Sequence, residues 1–114
     1  MIAVIFEVTP REGCRDAYLE IAARIKPLLE RIDGFISVER FQSLTRPGTI
    51  LSLSFFRDEA AVQRWRELAE HRTAQHAGRG RLFADYKLRM ASVCRNDGRS
   101  ERGEAPADAV ALHG

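Results

Sequence analysis

Residues 65–89, read WRELAEHRTAQHAGRGRLFADYKLR, hold the only tryptophan of the chain, two of its three histidines and a dense set of Lys and Arg side chains. These types have definite capacities. An imidazole with an ordinary pKa near ~6.5 can take a proton around neutrality, a guanidinium can hold an anion, and an indole supplies a large apolar wall. At about 100° per residue, an unbroken helix places Trp65, Leu68, Arg72 and His76 on one face. His71, Gln75 and Arg79 form a second row at i, i+4 and i+8. His71 and His76 are the candidate catalytic bases, and Trp65, Gln75 and Arg79 are candidate ligand contacts. Each has a plainer alternative: Trp65 as ordinary core, His71 as a side chain capping a helix end, His76 as a surface imidazole. Metal binding is not expected, because the two histidines are off the i, i+4 spacing and no carboxylate set accompanies them.

Outside this run, Arg40 alternates with Ile36 and Val38 on one strand face, where a charge needs a partner; Glu7, Glu39 and Asp85 are the candidates. Ser52 and Ser54 share a strand face and either hydrogen-bond a ligand or admit close packing. Arg79, Arg81, Lys87 and Arg89 are either an anion-holding group or a solvated basic edge.

The elements that must position these residues follow from hydrophobic period and turn chemistry. Residues 2–8 are rich in β-branched and aromatic types and predict a strand. Thr9-Pro10-Arg11-Glu12 has the form of a capping box with proline at the first helical position. Tyr18, Ile21, Ala22, Ile25, Leu28, Leu29 and Ile32 then recur at helical spacing, with Pro27 expected to weaken the last turn and Asp33-Gly34 to end it. Residues 35–44 alternate, with Phe35, Ser37, Glu39, Phe41 and Ser43 on one face. Arg46-Pro47-Gly48 is a turn, and residues 49–56 form a second strand of a hairpin. Asp58 is an N-cap with Glu59 in the first turn, and Ala61, Trp65, Leu68 and Ala69 give a shorter amphipathic helix that Gly78 and Gly80 break. Residues 84–94 are the last strand, ending at Asn96-Asp97-Gly98.

Strand, helix, strand, strand, helix, strand is the ferredoxin-like βαββαβ order, an α+β fold with a four-stranded antiparallel sheet. The domain is expected over residues 1–95. Residues 96–114 lack aromatics and carry too little apolar surface to offset ordering entropy, so they are expected to be a disordered tail.

The totals exclude several classes. At 114 residues, 45% hydrophobic and 30% charged, the chain fits one globular domain. The opening apolar stretch stops at Glu7 and has no basic flank, so neither signal peptide nor membrane anchor is expected and the default location is cytoplasmic. Cys14 and Cys94 stand alone, without a CxxC partner. Net charge is +2, too mildly basic for a nucleic-acid binder, and the strand TILSLSFF lacks the Arg/Lys, Gly and aromatic pattern of an RNA-binding sheet.

A ferredoxin-like sheet carries helices on one face, yet here both faces are apolar. Ala3 and Ile5 oppose Ile2, Val4, Phe6 and Val8, while Leu51, Leu53 and Phe55 oppose Ile50 and Phe56. A second copy of the same sheet is the economical cover, at roughly 25 cal/mol per Å² of apolar area buried, so a homodimer is expected.

Gly34-Phe35-Ile36-Ser37-Val38-Glu39-Arg40-Phe41 resembles the antibiotic biosynthesis monooxygenase-like proteins of the dimeric α/β-barrel superfamily. So do Leu51-Ser52-Leu53-Ser54-Phe55 followed by Asp58-Glu59-Ala60 and Trp65, and His71-x-x-Ala74-Gln75-x-x-Gly78-Arg79 before Asp85-Tyr86. The resemblance spans residues 1–95. It implies a barrel of two packed sheets, a pocket in each protomer between sheet and helices, and oxidation of electron-rich aromatics, quinol or polyphenol-like, by O₂ without metal or flavin. That chemistry asks for a base, oxyanion donors and a dry cavity. A haem-degrading branch of the superfamily pairs a first-strand Asn with a tryptophan and a histidine ten residues beyond it. Here Glu7 stands in the Asn position and Gln75 precedes His76, so haem is disfavoured and no cofactor is expected. The alternative within the same fold is a non-catalytic dimer that binds a small molecule, as in a stress response.

Overall fold

The computed structural model describes the backbone of residues 1–75 and 82–99, and the side chains of residues 1–68 and 82–99. The elements are β1 (Ile2–Pro10), α1 (Arg15–Leu29), β2 (Phe35–Gln42), β3 (Ile50–Phe56), α2 (Glu59–Gln75) and β4 (Phe83–Ser92). The strands form one antiparallel sheet in the order β2-β3-β1-β4. This is the ferredoxin-like arrangement, in which each β-α-β half crosses over one face of the sheet.

Three local departures from the sequence pattern matter. The capping box at Thr9 is not formed, because β1 runs on through Pro10 and pairs Thr9 with Asp85. The Thr9 hydroxyl bonds that of Thr49, 3.0 Å away, instead of capping a helix. α1 begins only after a turn through Gly13 (φ +81°), with Cys14 as an N-cap whose side chain makes no capping bond. The Arg11 N–H, one of the donors such a cap would have served, instead bonds the Leu82 carbonyl at 2.6 Å.

The second departure is at the other end of α1. The helix carries Pro27 near its end and stops at Leu29, not at Asp33. Short-range bonds such as Arg31 N to Leu28 O and Ile32 N to Leu29 O then tighten the chain toward Gly34. Gly34 has φ +93°, so the glycine expected to supply a positive φ does so.

The third is a bulge in β2. Phe35 pairs with Phe56 and Ser37 with Phe55, which leaves Ile36 as the extra residue, 50% exposed. Phe35 therefore turns to the helix side and meets the Phe56 ring edge-on at 5.7 Å. It does not share a face with Ser37, Glu39 and Phe41, and Ile36 does not continue the row of Val38 and Arg40.

Asp58 is the expected N-cap of α2: its Oδ1 accepts the Ala61 N–H at 2.9 Å. That bond, followed by the Arg57 guanidinium, holds the Asp58 carboxyl below the usual carboxylate range. Arg57 also pairs with Asp33 at 3.2 Å, and Arg64 Nη1 donates to the Asp33 carbonyl at 2.9 Å. These exposed contacts tie the α1–β2 turn to the start of α2. The break expected at Gly78 and Gly80 lies outside the described residues, as does the tail from residue 100 on. No helix among the described residues is long and apolar enough to cross a membrane.

The core is split. One cluster joins Val4, Phe56, Ala61 and Val62, with Ile2, Phe35 and Trp65 packed against it. The other joins Val8, Tyr18 and Ile50, with Phe6, Leu19 and Phe83 around it. The register explains the gap between them. Along β3 the residues facing the helices are Ile50, Ser52, Ser54 and Phe56, large at both ends and small in the middle.

Candidate active site

The small middle of β3 opens a cavity of about 80 Å³ between sheet and helices. Two cross-strand rows floor it: Val38, Ser54 and Val4 in one, Arg40, Ser52 and Phe6 in the other. α1 roofs it with Tyr18, Ile21, Ala22, Ile25 and Leu29, the same residues whose helical spacing marks its apolar stripe. Trp65 from α2 closes one end, and Leu82 with Phe83 the other. Phe83 is fixed by edge-on contacts to Phe6 at 5.9 Å and Tyr18 at 5.7 Å.

Four of the residues proposed from sequence therefore meet in one space: Arg40, Ser52, Ser54 and Trp65. Trp65 packs on Phe56 with ring centroids 6.3 Å apart and also lines the cavity. Tyr18 and Phe83 were not singled out as site residues. Their signal was present only as apolar periodicity in α1 and at the start of β4, which does not distinguish a cavity wall from filled core.

The remaining candidates are not placed at the cavity. His71 and Gln75 lie on the backbone of α2, with side chains outside those described. His76 and Arg79 lie outside the described residues. Lys87 and Arg89 pair in register with Glu7 and Ile5 and so sit on the opposite face of the sheet from the cavity, where Arg89 meets Glu7 at 3.4 Å. They are not part of a basic group at this site.

Arg40 did not find the partner expected of it. Glu7, Glu39 and Asp85 all occupy the opposite face, by the register that sets Glu7 beside Leu51 and Lys87, Glu39 beside Leu53, and Asp85 beside Thr9. The Arg40 Nε is closed off from solvent and has no hydrogen-bond partner.

Glu7 also bears on haem: facing away from the cavity and paired with Arg89, it offers no ligand there, and the cavity is far smaller than a porphyrin. The described lining residues do not fit that group. Among the described residues, no three His, Cys, Asp or Glu side chains cluster in a way that could hold a metal ion.

The free face carries Ala3, Ile5, Leu51, Leu53, Phe55 and Phe41, bordered by Glu39, Lys87 and the Glu7–Arg89 pair. Phe41 is 43% exposed. Among the described residues no helix covers this surface, as both core clusters lie on the other side of the sheet.

The chain is 52% identical over 93 residues to the jasmonate monooxygenase ABM of Pyricularia oryzae; the match covers 82% of this chain but only 43% of that protein. It is 31% identical to YqjZ of Bacillus subtilis, over 82% of this chain and 79% of that one. Among solved structures, a cofactor-independent oxygenase of Streptomyces nogalater, SnoaB, superposes with a TM-score of 0.67 at 16% identity, covering 83% of this chain and 94% of the other. An antibiotic biosynthesis monooxygenase described as putative, from Deinococcus radiodurans, superposes with a TM-score of 0.72 at 15% identity, covering 86% and 97%. At those identities the superpositions speak for the fold. The sequence model of the antibiotic biosynthesis monooxygenases matches residues 1–77, most of the folded part, and with these relatives it establishes that the chain belongs to the antibiotic biosynthesis monooxygenase family.

Proposed function

We propose that this chain is a cofactor-independent monooxygenase that oxidises an electron-rich small molecule with O₂ in the cavity between sheet and helices. The carrying observation is the cavity itself: an apolar space walled by Trp65, Tyr18 and Phe83, with the Arg40 guanidinium and the Ser52 and Ser54 hydroxyls on its floor. Family membership supports it, as do the activities by which the Pyricularia relative and SnoaB are named.

Without a helper, the substrate must supply every electron that O₂ takes. A hydroquinone does so: one oxygen atom enters the ring, the other leaves as water, and the product is the hydroxyquinone. The protein then has three tasks. It must ionise the substrate, hold the resulting oxyanion and keep water out. Arg40, Ser52 and Ser54 are the donors for the second task, and the aromatic and aliphatic walls perform the third. The base is assigned to His71 or His76 on the chemistry of imidazole alone. At about 80 Å³ the cavity is below the ~300–1,000 Å³ typical of small-molecule sites, so a ring enters only as lining side chains shift. Arg40, long and unbranched with no bond on its Nε, is the readiest to move.

Oxygen uptake over a panel of hydroquinones and jasmonate tests this reading. Consumption above buffer is expected with at least one of them, reduced about 10²-fold or more by His71→Ala or His76→Ala. No uptake with any member overturns it and leaves a binding protein of the same fold.

The homodimer belongs to the same proposal. Its support is the half-buried apolar stripe of Ile5, Leu51, Leu53 and Phe55 on the face away from the described helices, beside the exposed Phe41. Light scattering at low micromolar protein is expected to return about twice the 12.9 kDa chain mass; a monomer mass refutes it.

A further inference from the structure

The cavity measures about 80 Å³, so even after side chains shift it takes one ring and little more. Whatever else a substrate carries must lie outside it. By register, Tyr86, Leu88 and Met90 stand beside Val8, Phe6 and Val4, and they extend onto β4 the face of the sheet that floors the cavity. They are 60%, 40% and 40% exposed, on a strand at the edge of the sheet. Three large apolar side chains left open in a row on an edge strand are a liability unless something uses them.

The row adjoins the cavity. Phe6 and Phe83 line the cavity, and the Tyr86 ring lies 5.9 Å from Phe6 and 6.2 Å from Phe83. At the other end of the row, Met90 shares a groove of about 240 Å³ with Ile2 and Val62, where Glu59, Gln63 and Arg66 supply a polar rim. The alternate residues Asp85, Lys87 and Arg89 point to the opposite face, where a second copy is proposed to pack. A dimer through that face leaves Tyr86, Leu88 and Met90 open.

We infer that this row is a track for an aliphatic chain, and that the substrate is a single-ring hydroquinone bearing one. The inference rests on the proposed reading, in which the cavity holds the ring. Tyr86 to Met90 spans about 13 Å at ~3.3 Å per residue, the reach of a chain of about eight to ten carbons. A charged substituent would find no partner along Leu88 and Met90, whereas methylenes lose water by lying there. The polar rim beyond Met90 sets the end of the track.

Equilibrium dialysis under nitrogen reads binding without turnover. Affinity is expected to rise from methyl- through butyl- to octylhydroquinone by about two-fold per added carbon, roughly 100-fold in all, since a chain on an open surface gains about half the free energy of full burial. 1-Octanol, which has the chain and no ring, should bind at least about ten-fold more weakly than octylhydroquinone. The double variant Leu88→Thr/Met90→Thr keeps strand-forming types. It should cut the gain from methyl to octyl to about ten-fold or less and leave methylhydroquinone unaffected. Leu44→Thr, at a position 98% exposed between β2 and β3, should leave the whole series unchanged. A flat series with the unmodified protein, octanol binding as tightly as octylhydroquinone, or an unchanged gain in the double variant each overturns the inference. So does a double variant whose mass by light scattering is half that of the parent, because the row would then be a contact between copies. The two readings fail separately. Chain-dependent binding by a protein that consumes no oxygen keeps the track and removes the oxygenase, whereas oxygen uptake with methylhydroquinone and a flat series does the reverse.

Discussion

Phe56→Ala is expected to destabilise the fold by about 3–5 kcal/mol, the usual cost of emptying an aromatic site in a packed core. Phe56 is 0% exposed and stands where both layers meet. Its ring is met edge-on by Phe35 at 5.7 Å, lies 6.3 Å from Trp65, and belongs to one cluster with Val4, Ala61 and Val62. Neighbours cannot simply collapse into the space, because β1 and β2 flank the residue through backbone pairing, and α2 is anchored by its Asp58 cap. Against a total stability of ~5–15 kcal/mol for a domain, such a loss removes a fifth or more of the margin. At about 4–8 °C per kcal/mol for a domain of this class, the melting temperature should fall by more than ~10 °C. Trp65 should also lose its fixed neighbour and shift its emission to the red. Phe56→Leu, which keeps most of the volume, should cost well under half as much. A thermal or urea transition of Phe56→Ala within about 1 kcal/mol of the parent would show that this cluster does not hold the layers together.

Gly34→Ala is expected to cost about 2–4 kcal/mol, for two separable reasons. The backbone there has φ +93°, a conformation that costs a side-chain-bearing residue about 1–3 kcal/mol. The new methyl would also lie 2.7 Å from the Ala61 Cβ, well inside contact distance, and Ala61 is 0% exposed with no room to retreat. The site is a seam, since the Gly34 carbonyl accepts the Arg57 N–H at 2.7 Å, so pushing the turn away from α2 also strains the exit of β3. Ala61→Gly in the Gly34→Ala background removes the clash but not the φ strain. The double variant should therefore recover part of the loss, less the ~1 kcal/mol that glycine costs in a helix. Full recovery would assign the whole effect to packing, and none would assign it to the backbone.

Much of this architecture was legible in one chain. The order of elements followed from period and punctuation: β-branched and aromatic residues in β1, serines alternating with large apolar residues in β3, an apolar stripe every three to four residues in α1, and Asp58 ahead of α2. These signals are local, so they survive in any tertiary context that buries the marked faces. The Thr9-x-x-Glu12 box failed because its evidence was equally local while its outcome was not. β4 lay alongside and offered Thr9 a continued ladder, and Thr49 offered its hydroxyl a partner. The Ile36 bulge was invisible for a related reason, since one inserted residue changes no composition but moves Phe35 from one face to the other.

The site divides along the same line. Residue types alone nominated Trp65, Arg40, Ser52 and Ser54, and they determined that β3 would present small side chains between two large ones. Only the tertiary structure decided that this small middle lies under α1 between two core clusters and so opens a cavity. It decided, too, that Glu7, Glu39 and Asp85 all fall on the far side of the sheet. A strand's alternation says which residues share a face but not what stands opposite that face, so the closed-off, unbonded Nε of Arg40 became visible only once sheet and helices were assembled around it.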